Sequence, residues 1–134
     1  MRIFCDANVA FSALAKKGVC FELLELCMVE HELLVSEQVL DETARTLVKV
    51  TRYSPKEADS IVEEFARNVT ICPPHVYEGI SVRDPDDVEI FGAARFAQAD
   101  ILVTGDKDLL VLHGVTEMDI LRPRELLDLL KGIL

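Results

Sequence analysis

Acidic residues recur in this chain where apolar runs end or helices begin. RIFCD ends in Asp6, and Asn8 follows two residues later. RDPDD places Asp84, Asp86 and Asp87 at the head of an apolar helical pattern, and ILVTGD ends in Asp106 with Asp108 just beyond. A carboxylate at the C-terminal tip of a buried strand faces the crevice in which open α/β sheets bind ligands. Carboxylates that meet in one crevice repel each other unless a cation lies between them. Oxygen-only donors select a hard divalent ion, and with it phosphate chemistry.

Each acid has a structural alternative. Asp6 stands between a strand and a helix, where it could cap the helix, although Asn8 could serve as that cap equally well. Asp84 before Pro85 has the form of an N-cap, and Asp86 is a first-turn acid that favours the helix dipole. Asp87 is different. Ile90, Phe91 and Ala94 lie three, four and seven residues after it, so it extends the buried stripe and needs a partner there. It either caps its own helix from the third position or binds something in the crevice. Thr104 and Asp106 sit at a strand tip, with Gly105 permitting a tight turn. Thr104 could hold a ligand water or close that turn. Asp108 is the weaker candidate, since it could cap a short segment from Leu109 to Leu112. Two metals would need a fourth acid. Asp41 and Glu42 lie beside, not on, an apolar stripe of Val39, Leu40, Ala44, Leu47 and Val48, so helical spacing alone leaves both solvated.

The elements that would position these residues follow from periodicity. Residues 2–5 form a short apolar strand. Residues 9–15 and 19–30 read as helix, broken at Gly18, with Phe21, Leu24 and Met28 on one stripe of the second piece. Leu33 to Val35 is a second strand, after which Ser36 can cap a helix through about Val50. Ser54-Pro55 opens another helix, carrying Ala58, Ile61, Val62, Phe65 and Ala66. Val69 to Cys72 is a weaker strand, closed by Pro73-Pro74. The helix from Asp84-Pro85 runs to about Gln98, Ile101 to Val103 is strand, Met118 to Leu121 is a last short strand, and Pro123 starts a terminal helix. Strands alternating with helices, without hairpin signals, predict an α/β fold: a three-layer α/β/α sandwich around a short-stranded, mostly parallel sheet. A chain of 134 residues with half of them hydrophobic is expected to form one domain over 1–134.

Composition narrows the classes. No apolar stretch approaches the roughly 18–20 residues of a membrane span, and MRIFCDANV lacks a signal-peptide layout, so a cytoplasmic protein is expected. Cys5, Cys20, Cys27 and Cys72 form no zinc-like or CxxC spacing and read as reduced core thiols, Cys20 and Cys27 on one helical face. His31, His75 and His113 are scattered at element ends. The net charge of −10 is unlike the basic footprint of most nucleic-acid proteins. Metal-binding carboxylates account for part of it, and an acidic surface also suits a basic protein partner. There is no GxxxxGK[ST], GxGxxG or GxSxG.

Taken together, these segments resemble a PIN domain, the endoribonuclease fold of VapC-type toxins and several RNA-processing nucleases. DANVAFSAL at 6–14 resembles the family's opening motif, with Ala7 where a hydroxyl residue is common. SEQVLDETARTL resembles the helical motif whose acid falls on Glu42. DPDDVEIFGAA resembles the motif whose Asp falls on Asp87, and VTGDKDLL the closing T-x-D motif, with Asp106 and the extra Asp108. The motifs occur in order across nearly the whole chain. The resemblance implies that Asp6, Glu42, Asp87 and Asp106 hold one or two Mg²⁺ or Mn²⁺ ions, with Asn8, Thr104 and Asp108 orienting ligands or waters. It implies RNA as substrate, products with 5′-phosphate and 3′-hydroxyl ends, and an antitoxin protein or a second copy as partner. Arg45, Lys49, Arg83 and Lys107 are candidate phosphate contacts, with plain surface charge as the alternative for each. Two other classes stand beside this one. The first is a PIN-like binding module acting in a complex. The second is another acidic-pocket phosphohydrolase, although a haloacid-dehalogenase-type site wants DxD where this chain has Asn8.

Overall fold

The computed structural model describes residues 1–80 and 84–132. Five strands run β1 (Arg2–Cys5), β2 (Glu32–Ser36), β3 (Thr70–Cys72), β4 (Ile101–Val103) and β5 (Asp119–Leu121). They form one sheet in the order β3-β2-β1-β4-β5, and every pairing is parallel. Parallel strands are covered on both faces, so their sequences need no alternation. Ile3, Phe4, Leu33, Leu34, Val35, Ile101, Leu102 and Val103 are accordingly all buried.

The helices are α1 (Ala7–Ala15), α2 (Val19–Glu30), α3 (Glu37–Val50), α4 (Pro55–Ala66), α5 (Pro85–Phe96), α6 (Lys107–Leu110) and α7 (Pro123–Leu130). The chain winds from β1 outward to β3, then returns across the sheet to β4. Right-handed crossovers in opposite directions place α1–α4 on one face and α5–α6 on the other. Both α3 and α5 pack against β2, one from each side, and α7 joins α2. This is the three-layer α/β/α sandwich that the alternation predicts. The winding reverses between β1 and β4, which is where open α/β sheets leave a crevice at the C-terminal ends of their strands.

Several details depart from the periodicity reading. Helix α1 begins at Ala7, two residues earlier than expected, because Asp6 and not Asn8 caps it. The buried stripe of α2 is Leu23, Leu24 and Cys27, while Phe21 and Met28 are only half-buried and Cys20 is less buried than Cys27. On α3, Thr43 is fully buried, its hydroxyl donating to Val39 O at 2.7 Å, while Val48 is exposed. Helix α5 ends at Phe96, and Gln98 turns the chain with a φ of 59°. Its seat is fixed by the loop at 73–80. Gly92 lies so close to that loop that a Cβ there would stand 2.1 Å from the His75 carbonyl oxygen. His75 stacks on Phe96 at 4.4 Å, and Tyr77 meets Phe91 at 5.6 Å and the Arg95 guanidinium at 4.6 Å. These contacts seat α5 against the loop, and in that seat Asp87 is buried.

Candidate metal centre

The register of β1 against β4 explains why two distant acids meet. Cys5 pairs with Val103, so Asp6 and Thr104 leave the sheet side by side. Thr104 Oγ1 donates to Asp6 Oδ2 at 2.6 Å, and the Ala7 amide donates to Asp6 Oδ1 at 2.7 Å. Asp6 therefore caps α1 and lies in the crevice at once. Burial pushes its carboxyl up from the ordinary range, the Thr104 and Ala7 bonds pull it down, and the neighbouring Asp106 pushes it up. Thr104 Oγ1 also accepts the Asp106 amide at 3.0 Å, and the Gly105 amide reaches Asn8 Oδ1 at 3.4 Å. Asp106 then caps α6 by accepting the Asp108 amide at 2.9 Å. The cap expected of Asp108 belongs to Asp106, and the short helix spans Lys107–Leu110 in place of Leu109 to Leu112.

Asp84 caps α5 through the Asp86 amide, as its place before Pro85 predicts. Asp87, three residues into the helix, is 5% exposed, and its Oδ2 is buried without a hydrogen-bond partner among the described residues. Burial pushes its carboxyl up to about 7, with the charges of Asp106, Asp84 and Asp6 adding to the shift. A buried carboxylate oxygen with no donor is costly unless a ligand completes it.

Glu42 comes from the other wall. It is half-buried on α3, and Gln38 Nε2 donates to its Oε1 at 3.3 Å. Burial raises its carboxyl above the ordinary range. The Gln38 bond opposes that, Asp6 and Asp86 add to it, and Arg45 opposes it in turn. The wheel that leaves Glu42 solvated is corrected here: the residue lies beside the apolar stripe because that side of α3 faces the crevice.

Asp6, Glu42, Asp87 and Asp106 thus line one crevice of about 340 Å³, together with Asn8, Arg45, Asp84 and Asp86. One oxygen each of Asp87, Asp106 and Asp108 lies within 4.8 Å of the others. Asp6, Asp84 and Asp106 cap α1, α5 and α6, so the positive ends of three helices converge here and offset part of the repulsion. Donors that are all hard oxygens, with one of them orphaned, fit a Mg²⁺ or Mn²⁺ ion. Asp86 lines the crevice too, although its position alone marks it as solvated.

The basic candidates separate. Arg45 lines the crevice and also borders a neighbouring groove, whereas Lys49 lines only that groove, with Val48, Pro55 and Asp59. Lys107 is exposed on the first residue of α6, outside the crevice lining. Arg83 lies outside the described residues. Gln38 escaped the motif reading. Its signal is its place one helical turn before Glu42.

The family model described as PIN domain matches residues 2–108. No curated protein matches the sequence. Among solved structures, the chain superposes on one from the crystal structure of VapBC2 from Rickettsia felis bound to a DNA fragment from their promoter. The TM-score is 0.66 over 91% of this chain and 98% of that one, at 16% identity. At that identity the likeness is one of fold. The match over 107 of 134 residues places the chain in the PIN domain family.

Proposed function

We propose that this chain is a metal-dependent endoribonuclease acting as the toxin component of a toxin–antitoxin pair. The observation that carries the reading is the orphaned Oδ2 of Asp87, buried among the carboxylates of Asp6, Glu42 and Asp106 at the point where the sheet reverses. Those four acids, with Asp108 beside them, would hold one or two Mg²⁺ or Mn²⁺ ions. A bound divalent cation supplies activation of water near neutral pH and stabilisation of the departing 3′ oxygen. The remaining work falls to the chain. The Thr104 hydroxyl donates to the Asp6 carboxylate and accepts the Asp106 backbone amide, so it orients Asp6 and fixes the backbone from which Asp106 projects. Arg45 on the crevice wall contacts the RNA phosphate. Asn8, tied to the Gly105 amide, orients a ligand or water. Products with 5′-phosphate and 3′-hydroxyl ends follow from cleavage at the 3′ oxygen.

An antitoxin partner is supported by the fold shared with a chain of a VapBC complex and by a net charge of −10, which suits a basic partner. Among the described residues no helix is long and apolar enough to cross a membrane. The same charge supports a second reading, a PIN-like module that binds a partner and cleaves little by itself.

One experiment separates the two. A panel of single-stranded RNAs is incubated with Mn²⁺ or Mg²⁺, with EDTA, and with Asp106→Asn beside the wild type. Cleavage that requires metal and falls by on the order of a hundredfold or more in the variant is expected, since a lost ligand removes several kcal/mol of charge stabilisation. Folded, metal-binding protein that cuts none of the RNAs favours the binding module. Cleavage undiminished in Asp106→Asn sinks the mechanism.

A further inference from the structure

Gln38 stands one helical turn before Glu42 on α3. Its side-chain amide carries two N–H groups. Nε2 donates to Glu42 Oε1 at 3.3 Å and to the backbone carbonyl of Asp86 at 3.2 Å. The first bond runs along α3. The second crosses to the first turn of α5, next to Asp87. One neutral side chain therefore joins the wall that carries Glu42 to the wall that carries Asp87.

Glu42 needs such a restraint. Its side chain has three rotatable bonds, and the charges of Asp6 and Asp86 push it away from the crevice. Left alone, it gains both entropy and relief from repulsion by swinging into solvent. A lysine or arginine at position 38 could also bond it, but would place a cation among carboxylates gathered to bind one. A neutral amide restrains Glu42 without competing for its charge. The bond to the Asp86 carbonyl fixes the distance between the walls as well as the rotamer. We infer that Gln38 is a positioning residue, whose amide ties Glu42 to the first turn of α5 and keeps its carboxylate in the crevice, where it contributes to holding a divalent cation. This inference rests on the metal-centre reading proposed above.

The test measures Mn²⁺ binding to the purified chain by titration calorimetry, with electron paramagnetic resonance of the bound ion and thermal unfolding of the metal-free protein alongside. Gln38→Met keeps the length and apolar stem of the side chain and removes both donors. It is expected to raise the Kd for Mn²⁺ by about tenfold, to broaden the signal of the bound ion, and to leave the metal-free Tm nearly unchanged. Gln38→Ala should weaken binding to the same degree. A Gln38→Met protein that binds as the wild type does, while Glu42→Gln binds poorly, overturns the inference and leaves the metal centre standing. So does loss in Gln38→Ala alone, which would assign the effect to the stem. A wild type that binds no Mn²⁺, or binding indifferent to Glu42→Gln, overturns the metal centre and this inference together.

Discussion

The two rims of the sheet treat charge in opposite ways. At the N-terminal rim, the Arg2 guanidinium donates to Glu32 and twice to the Ala97 carbonyl, at 3.2 and 3.0 Å. The Arg2 amide donates to Asp100 at 2.8 Å, and Thr70 donates to the second oxygen of Glu32 at 2.9 Å. Acids and cation satisfy one another, and the cluster ties β1, β2, β3 and the turn before β4 together. At the C-terminal rim, six carboxylates line the crevice and Arg45 is the single cation among its described residues. One carboxylate oxygen there has no donor among the described residues. Paired charge marks a structural rim, and unpaired buried charge marks a rim built for something that arrives later. The overall charge of −10 is thus less a surface property than the sequence alone makes it seem, because part of it is concentrated in the crevice.

The strongest way to break that contrast is to neutralise the orphan. The Asp87 carboxyl titrates at about 7 in the fold against an ordinary 3.8. The native state therefore holds a proton that the unfolded chain has lost between those values, and stability falls as the pH rises through that window. The loss is on the order of 2–4 kcal/mol for the metal-free protein. Asp87→Asn should flatten the curve, so that at pH 8 the metal-free variant unfolds at a higher temperature or denaturant concentration than the wild type. Millimolar Mg²⁺ or Mn²⁺ should restore the wild type at pH 8 and leave Asp87→Asn nearly unmoved. Chemical denaturation at pH 5 and pH 8, with and without metal, measures this. A wild type more stable at pH 8 than at pH 5 without metal would show that the rim tolerates its own charge.

The opposite rim should respond in the opposite way. Arg2→Met keeps the stem and removes the guanidinium, leaving Glu32 and the Ala97 carbonyl to water. Because the Arg2–Glu32 pair is roughly half exposed, the expected cost is modest, about 1–2 kcal/mol. It should appear as a Tm lower by several degrees with Mn²⁺ affinity unchanged. Lost affinity in this variant would mean that the two rims are not independent.

What could be read from the sequence follows the same division. Asp6 and Asp106 end apolar runs and Asp87 extends an apolar stripe, so their positions follow from local pattern and the sheet order does the rest. Glu42 had no such signal. Its side of α3 faces a crevice, not a core, and a crevice is made only when α3 and α5 pack on β2 from opposite sides. The resemblance supplied that acid, and the geometry explains why the helical wheel could not. Gln38 was silent for the same reason, since its second partner lies 48 residues away on another element. The stripe on α2 was misplaced because that helix is apolar around much of its circumference, which leaves its phase undetermined until α1, α7 and β2 choose the buried side. Helix α6, four residues long, is too short for any periodicity, and its position is set by the Asp106 cap.

The smallest expected effect is also the sharpest comparison within one helix. Arg45 and Lys49 are four residues apart on α3, one turn, and both carry a positive charge. Both border the groove beside Val48 and Pro55, but only Arg45 also lines the carboxylate crevice. If RNA phosphates enter the crevice, Arg45→Ala should raise KM for a cleaved RNA by several-fold, as the loss of a charge-assisted phosphate contact does, with kcat changed less. Lys49→Ala should stay within about twofold in both constants, since a screened surface charge contributes little at physiological salt. Equal effects of the two changes would point to a diffuse electrostatic attraction, and both should then fade together as salt is raised. An effect confined to Arg45 and persisting at higher salt would place the phosphate on the wall opposite Asp87.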